Sequence, residues 1–559
     1  MAARSMADPA TRRFRFRGGA RTASSGDTLL AALAGQELPN VVRSVRCHRP
    51  RGPFCGLGHC TGCLVRVNGR PNVRACRHVV EEGDRVETEN AWPSPRWDVL
   101  GAIDVVFPRS LDTLRGFRRP AWATRAYQRV VRRLAGYGAV PDPIPDGAPS
   151  AVAHRWDTGV VIVGAGTSGR AAAEALVRRG IRPLVVDRAL EVADVPGADL
   201  APRTTVTFLP PPRPTAPRPF VLLGFEEPDR GVSIRAKTVV LATGGYDGSL
   251  LFEGSDRPGV MAADLLTRMA PRTGRLPIRR AVVVGGGRRA REVLDLIGPS
   301  VTAVVAPSEI SPDVVRRASE LSIPLYPRSL VVRAVGRSRV RSLDLRTRGQ
   351  DTRFSLACDA VVLAHRRLPN SQLLFQADAR MVWRPDPGSY FPVVDATGGT
   401  TVPGLYVAGT VAGFAADERR TSGERAAASA AGGRPETTPT APAATDVPAD
   451  LGEYYRELLK EPRTGKWIVC PCEDVLLEDL EDASKAGFRG IEVLKRYTGV
   501  GTGLCQGRYC LPDALLLLAH LEGRPAPEVG YIRQRPPLVP TPLSALAAVH
   551  EELADEGVP

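Results

Sequence analysis

Eight of the ten cysteines fall into two spaced sets. In the first, four residues separate Cys55 from Cys60, two separate Cys60 from Cys63, and twelve separate Cys63 from Cys76. Three thiolates on one loop and a fourth on a neighbouring strand is a spacing that holds a 2Fe-2S cluster. Gly56, Gly58 and Gly62 suit that chemistry, because a loop wrapped around sulfide must turn tightly and expose backbone N–H donors. A structural zinc site usually pairs two short Cys-x-x-Cys units, and only one is present; disulfides are disfavoured in a reducing cytosol. In the second set Cys470 and Cys472 flank Pro471, 32 residues intervene, and four residues then separate Cys505 from Cys510. The intervening segment reads as two short helices that bring the cysteine pairs together. A second 2Fe-2S cluster is the favoured reading there, with zinc its competitor, since thiolate spacing does not by itself choose the metal. Cys47 and Cys358 stand outside both sets and read as packed thiols, and His59 as a spacer in the first loop.

A second kind of chemistry is written in glycine. Gly159 to Arg188, GVVIVGAGTSGRAAAEALVRRGIRPLVVDR, reads as strand, glycine turn, helix and second strand. Gly164 allows the tight turn, Gly166 lets backbone N–H groups approach a pyrophosphate, Gly169 lets helix and strand pack closely, and Asp187 supplies a carboxylate for a ribose. The helix start adds partial positive charge aimed at the phosphates. Thr243 and Gly244, at the turn ending the strand TVVLATG, and Gly409, on the return segment Thr400 to Gly413, are further candidate nucleotide contacts. Another glycine turn, Gly285 and Gly287 within AVVVGGGRRAREVLDLI, has the spacing for a nicotinamide nucleotide, yet its second strand ends AVVAP without a ribose carboxylate. NAD(P) binding and a packing lobe remain alternatives there.

The elements that must position these residues divide a 559-residue chain, too long for one core, into several domains. Residues 1–11 read as disordered. Residues 12–90 form a small β-rich unit with a strand at Phe14 to Phe16, a helix over Gly26 to Ala34 capped by Asp27 or Thr28, a strand Leu64 to Val67 with an Asn68-Gly69 hairpin turn, and a strand around Asp84 to Glu89. Residues 91–155 are a connector with one helix over Trp122 to Ala135, and 156–431 are a two-lobed nucleotide region, the second lobe inserted into the first. Residues 432–450 read as a linker, 451–522 as a helical unit and 523–559 as a proline-rich tail.

Composition narrows the function. The net charge of +15 comes from 75 basic residues, of which only five are lysine, and the arginines are scattered through every segment. A solvated basic surface is favoured over a nucleic-acid footprint, though it could dock an acidic partner. Apolar runs such as Ala281 to Val284 fall far short of the roughly 20 residues that span a bilayer. The opening MAARSMADPATRRFRFRGG lacks the apolar segment of a signal peptide, so a cytoplasmic protein without membrane span is expected.

Together these stretches resemble the α-type subunits of heteromeric amine and amino-acid dehydrogenases: sarcosine oxidase α, the electron-transfer subunits of hydrogen cyanide synthase and opine oxidases, and hydroxyproline dehydrogenase accessory subunits. The resemblance is carried by RCHRPRGPFCGLGHCTGCLV (Arg46 to Val65), NAWPS (Asn90 to Ser94), RRLAGYG (Arg132 to Gly138), VVIVGAGTSG, LATGGYD, SDRPGVM (Ser255 to Met261), CPCED, TGLCQGRYC and RQRPPLVP (Arg533 to Pro540). It implies an α/β multidomain fold: a β-grasp ferredoxin domain fused at the front, a two-dinucleotide-binding flavoprotein with an inserted Rossmann-like lobe, and a helical bacterioferritin-associated-ferredoxin-like domain. It also implies two 2Fe-2S clusters, FAD (with FMN or an adenine nucleotide as substitutes), a partner in the form of a catalytic flavin subunit of the amino-acid-oxidase type, and a downstream electron acceptor. Two departures bear on the flavin. The interval from Asp187 to Thr238 is short and contains LPPPRPTAPRP, which reads as a trimmed first lobe, and Thr410 stands where many such flavoproteins carry aspartate.

No acid–base pair or His–nucleophile arrangement stands out, so the expectation is an electron-transfer subunit of an amine or amino-acid dehydrogenase. The alternative is a self-sufficient NAD(P)H-dependent flavin and iron-sulfur reductase. A disulfide reductase is set aside, because no cysteine lies between Cys76 and Cys358.

Overall fold

A computed structural model describes residues 11–34, 40–106, 122–123, 152–189, 191–227, 230–273, 276–350, 352–432 and 451–554. The expected linker, the motif RRLAGYG and all but the first two positions of the Trp122 to Ala135 helix lie outside them. The chain forms two compact units, residues 1–144, 247–366 and 449–530 in one, and 145–246, 367–448 and 531–559 in the other. This grouping differs from the sequence-based domains: the inserted lobe belongs with the two cysteine-bearing segments, and the tail is split at Gly530.

The first unit begins with a five-stranded mixed sheet in the order Gly19–Ser24, Thr11–Phe16, Arg85–Thr88, Leu64–Val67, Arg70–Arg74. Thr11, expected to be disordered, already pairs with Ser24. Alternation sets the sheet's faces: Phe14 is buried between exposed Arg13 and Arg15, and it meets Val65, Val67, Val86, Leu29 and Leu30 in one core. The helix spans only Leu29–Leu33, capped by Thr28, whose hydroxyl accepts the Ala31 N–H. The inserted lobe is a parallel sheet ordered Val260–Ala262, Ala360–Leu363, Ala281–Val284, Val301–Val305, Leu325–Tyr326. Helices cover such a sheet on both faces, which is why Ala281 to Val284 is buried at every position. The C-terminal segment packs the helices Leu451–Leu458, Leu477–Lys485, Ile491–Thr498 and Leu511–Glu522 around a short hairpin, Ile468–Cys470 with Val475–Leu476.

The second unit is built on a seven-stranded sheet, ordered Asp199–Ala201, Leu184–Val186, Ala153–Val163, Arg230–Leu241, Phe220–Glu226, Thr204–Phe208, with Leu405–Val407 parallel to Arg230–Leu241. Its first strand starts at Ala153, inside the expected connector. The interval after Asp187 is not trimmed to a loop: it supplies the strands Asp199–Ala201, Thr204–Phe208 and Phe220–Glu226, and the prolines fall in the turn between the last two. Nor is the tail loose. Leu538 N–H donates to the Thr207 carbonyl, and the helix Leu543–Ala554 lies so close to the sheet that a Cβ on Gly231 would meet the Ala545 carbonyl at 2.7 Å.

Candidate functional site

All four thiols of the first cysteine set converge in the first unit. Cys55 and Cys60 sulfurs lie 3.3 Å apart, and the Cys63 thiol is hydrogen-bonded to that of Cys76. Leu57 and Cys60 N–H groups donate to the Cys55 sulfur, each at 3.4 Å. Burial works to raise the Cys55 thiol, but the hydrogen bonds from Cys60 and these backbone donors overcome it and hold it below the ordinary range. Cys60 and Cys63 are raised well above it, each first by the hydrogen bond to its partner thiol. The loop needs its glycines for different reasons. Gly56 has φ +64° and lies against Leu265, whereas a Cβ on Gly62 would meet the Gly52 carbonyl at 2.1 Å.

The second set closes in the same way. Cys470, at the end of its strand, is hydrogen-bonded to Cys510, the residue preceding the helix Leu511–Glu522, and Cys472 to Cys505. Cys472 is raised well above the ordinary thiol range and Cys505 lowered, both first by this shared hydrogen bond. Among the described residues no three such side chains gather around a single point as one metal ion would require. Each set instead presents two sulfur pairs, which fits a group of two irons that each take two thiolates. Cys47 and Cys358 belong to neither set, and burial first raises both thiols to about 12.

Sequence reasoning missed what joins these segments. Arg49 Nε donates to Asp256 Oδ2 at 2.8 Å and its Nη2 to Oδ1 at 3.1 Å, and Arg51, 4% exposed, bridges Asp256 and Asp474. Arg46 and Cys47 N–H groups donate to Asp474 Oδ2 at 2.9 and 2.8 Å. Burial works to raise the Asp256 carboxyl, and the charges of Arg49 and Arg51 overcome it, holding it well below the usual carboxylate range. Its stabilising contribution is therefore complete above the unfolded pKa of about 4 and is lost only as pH falls toward the folded value. Asp256→Asn strands two buried guanidinium groups and is expected to cost about 3–5 kcal/mol in denaturant unfolding at pH 7. The signal was present in the motifs: these residues belong to RCHRPRG, SDRPGVM and CPCED.

The first nucleotide constellation assembles in the second unit. Gly164 has φ +110°, and a Cβ there would meet the Ala242 carbonyl at 2.3 Å; one on Gly169 would meet the Gly164 carbonyl at 1.8 Å. Gly166 precedes the helix Thr167–Val177, and a Cβ on it would meet nothing within 4 Å, leaving open space before the helix N-terminus. Asp187 accepts the N–H groups of Ala165 and Ala189, both at 2.6 Å, which fixes the carboxylate beside the turn. The Thr243 hydroxyl donates to the Asn370 carbonyl at 2.9 Å, and Gly244 is likewise open where a Cβ would point. Gly409 donates its N–H to Ser422 at 3.0 Å and lies against Ser168, so the return segment reaches the same helix start. Thr410, in place of an acid, packs its methyl group toward Gly245. Asn370 and Ser422 had no motif to announce them.

The second turn, in the first unit, is arranged differently. Ser311 N–H donates to the Gly286 carbonyl at 2.8 Å, and a Cβ on Gly286 would meet the Glu309 carbonyl at 2.3 Å, so the loop after the second strand closes over the turn. Gly287 precedes the helix Arg288–Ile297, where Arg289 Nη2 pairs with Asp247 at 2.8 Å and Asp264 at 3.1 Å.

Comparison with known proteins agrees with this layout. Residues 11–91 match the family described as 2Fe-2S iron-sulfur cluster binding domain, 216–444 the pyridine nucleotide-disulphide oxidoreductase family, and 464–550 the sarcosine oxidase A3 domain. The alpha subunit of sarcosine oxidase from Rhizobium meliloti is 28% identical over 96% of this chain and 58% of its own length. An opine oxidase subunit from Agrobacterium tumefaciens is 27% identical over 62% of this chain and 77% of its own. The chain thus spans little more than half of the first of these relatives. L-proline dehydrogenase from P. horikoshii shares the fold, with a TM-score of 0.64 at 19% identity over 97% of this chain and 98% of that one. No helix among the described residues is long and apolar enough to cross a membrane. The chain is a relative of the α-type subunits of sarcosine and opine oxidases, carrying a 2Fe-2S cluster binding domain ahead of an oxidoreductase-type nucleotide fold.

Proposed function

We propose that this chain is the electron-transfer subunit of an amine or amino-acid dehydrogenase, holding FAD and two 2Fe-2S clusters, while a separate flavin subunit oxidises the substrate. The observation that carries the reading is the pair of complete four-thiol sets in one compact unit, each folded as two sulfur pairs. Cys55, Cys60, Cys63 and Cys76 would hold one cluster and Cys470, Cys472, Cys505 and Cys510 the other. Gly164, Gly166, Gly169, Asp187, Thr243, Gly244 and Gly409 would hold the flavin nucleotide: open space before the helix N-terminus admits the pyrophosphate, and Asp187, fixed by two backbone donors, faces the ribose. The bound groups supply stepwise acceptance and release of single electrons. The protein's part is to bury the thiols, furnish N–H donors to sulfur and exclude water.

Substrate oxidation would fall to the partner, since removing hydride from an amine carbon needs a flavin ring beside a pocket for the substrate carboxylate. The sarcosine and opine oxidase names of the relatives support this division of labour, as both name subunits and not whole enzymes. A self-sufficient reductase would need NAD(P) at Gly285 and Gly287, where the loop Glu309 to Ser311 closes over the turn. Co-expression with a flavin oxidase of the amino-acid type should give a complex that reduces an artificial dye with sarcosine-, opine- or proline-like substrates, and the pure chain alone should turn over none of them. Steady turnover by the pure chain would sink the proposal, and rapid NADH-dependent dye reduction would favour the reductase.

A further inference from the structure

The residues flanking the two cysteine sets touch one another at four places. The Thr61 hydroxyl, one residue from Cys60, donates to the Cys472 sulfur at 3.7 Å. Phe54, which precedes Cys55, meets Tyr509, which precedes Cys510, edge to face with ring centroids 5.1 Å apart. The Arg74 guanidinium donates to the carbonyl of Leu504, which precedes Cys505, at 3.5 Å. Arg51 and the Arg46 and Cys47 N–H groups hold Asp474, two residues beyond Cys472. A cavity of about 60 Å³ lies in this seam, with Cys60, Thr61 and Gly62 on one wall and Cys472, Cys505 and Tyr509 on the other.

Thr61 is 8% exposed, so its hydroxyl must be satisfied by protein. A hydrogen bond to a cluster thiolate favours the more negative, reduced cluster and so raises its reduction potential. Thr61 sits in the loop of one set and spends that bond on the other.

We propose that Thr61 is a positioning residue that joins the two cysteine sets into one redox unit, setting the potential of the C-terminal cluster from the N-terminal loop. The proposal rests on the two-cluster reading above. The ionic clamp of Arg51 and Asp474 keeps the sets in register, and the hydroxyl provides the contact between them. Two paramagnetic clusters held this close interact magnetically.

The test is an EPR-monitored redox titration of the full chain, with each signal assigned by comparison with Cys55→Ser and Cys505→Ser. Thr61→Val, which keeps the side-chain volume, should move the C-terminal potential downward and leave the N-terminal one in place, and Thr61→Ser should restore it. The fully reduced wild type should show broadening or splitting absent from both single-cluster variants. With four irons bound, an unchanged C-terminal potential in Thr61→Val, or a wild-type spectrum equal to the sum of the two variants' spectra, overturns the coupling alone. Two irons per wild-type chain overturns the two-cluster reading and the coupling with it.

Discussion

Replacing Cys55 with serine is expected to halve the iron bound by the anaerobically purified chain, from about four atoms to about two, and to erase one of two EPR signals. The Cys55 sulfur is the acceptor around which its loop is arranged: it takes the N–H groups of Leu57 and Cys60 and lies 3.3 Å from the Cys60 sulfur. A serine oxygen has a shorter bond to Cβ and a far higher pKa than a thiol, so it reaches less far and resists the deprotonation that ligation requires. Cys505→Ser should delete the other signal by the same argument. Cys47→Ser and Cys358→Ser are the controls, since both thiols are buried outside the sets. Losing a cluster in either control would mean that the ligand sets were misassigned, and zinc in place of the second pair of irons would mean the same for the C-terminal set.

The two sets were legible because cysteine is scarce and its spacing is local. Neither condition holds for the contacts that join them. Arg49 and Asp256 are 207 residues apart, and Arg51 and Asp474 are 423 apart. In a chain with 75 basic residues no single arginine advertises a buried partner. The motifs did contain these residues, but a motif fixes identity without saying what a side chain touches. The proline-rich interval after Asp187 misled for a related reason. Prolines exclude a central strand only where they stand, and here they stand in the turn between Thr204–Phe208 and Phe220–Glu226, leaving both free to pair. The tail shows the same limit: RQRPPLVP has no period, yet Gln376 donates to the Gln534 carbonyl and Leu538 donates to Thr207, tying it to the second unit. Burial of the second lobe's strands, by contrast, was readable from AVVV alone.

Gly166→Val should abolish flavin binding while leaving both cluster signals and the secondary structure intact. The three glycines of the first turn have separable duties. A side chain on Gly169 would drive into the Gly164 carbonyl, and one on Gly164 into that of Ala242, so both changes attack the contact between helix and sheet that lets the second unit fold. A side chain on Gly166 meets nothing within 4 Å, and Gly166 has an extended backbone with φ −69° that valine adopts without strain. The fold therefore tolerates the substitution. The space that the valine would occupy is the space before the helix Thr167–Val177, where backbone N–H groups face outward for a phosphate. A hydrogen bond to a charged group contributes about 1.5–3 kcal/mol, so losing even one amide–phosphate contact weakens binding about ten- to a hundredfold. Flavin absorbance after gel filtration, circular dichroism and EPR on the same sample give the three readings. Retained flavin in Gly166→Val would place the nucleotide elsewhere, and loss of secondary structure would show that the space before the helix is needed by the fold.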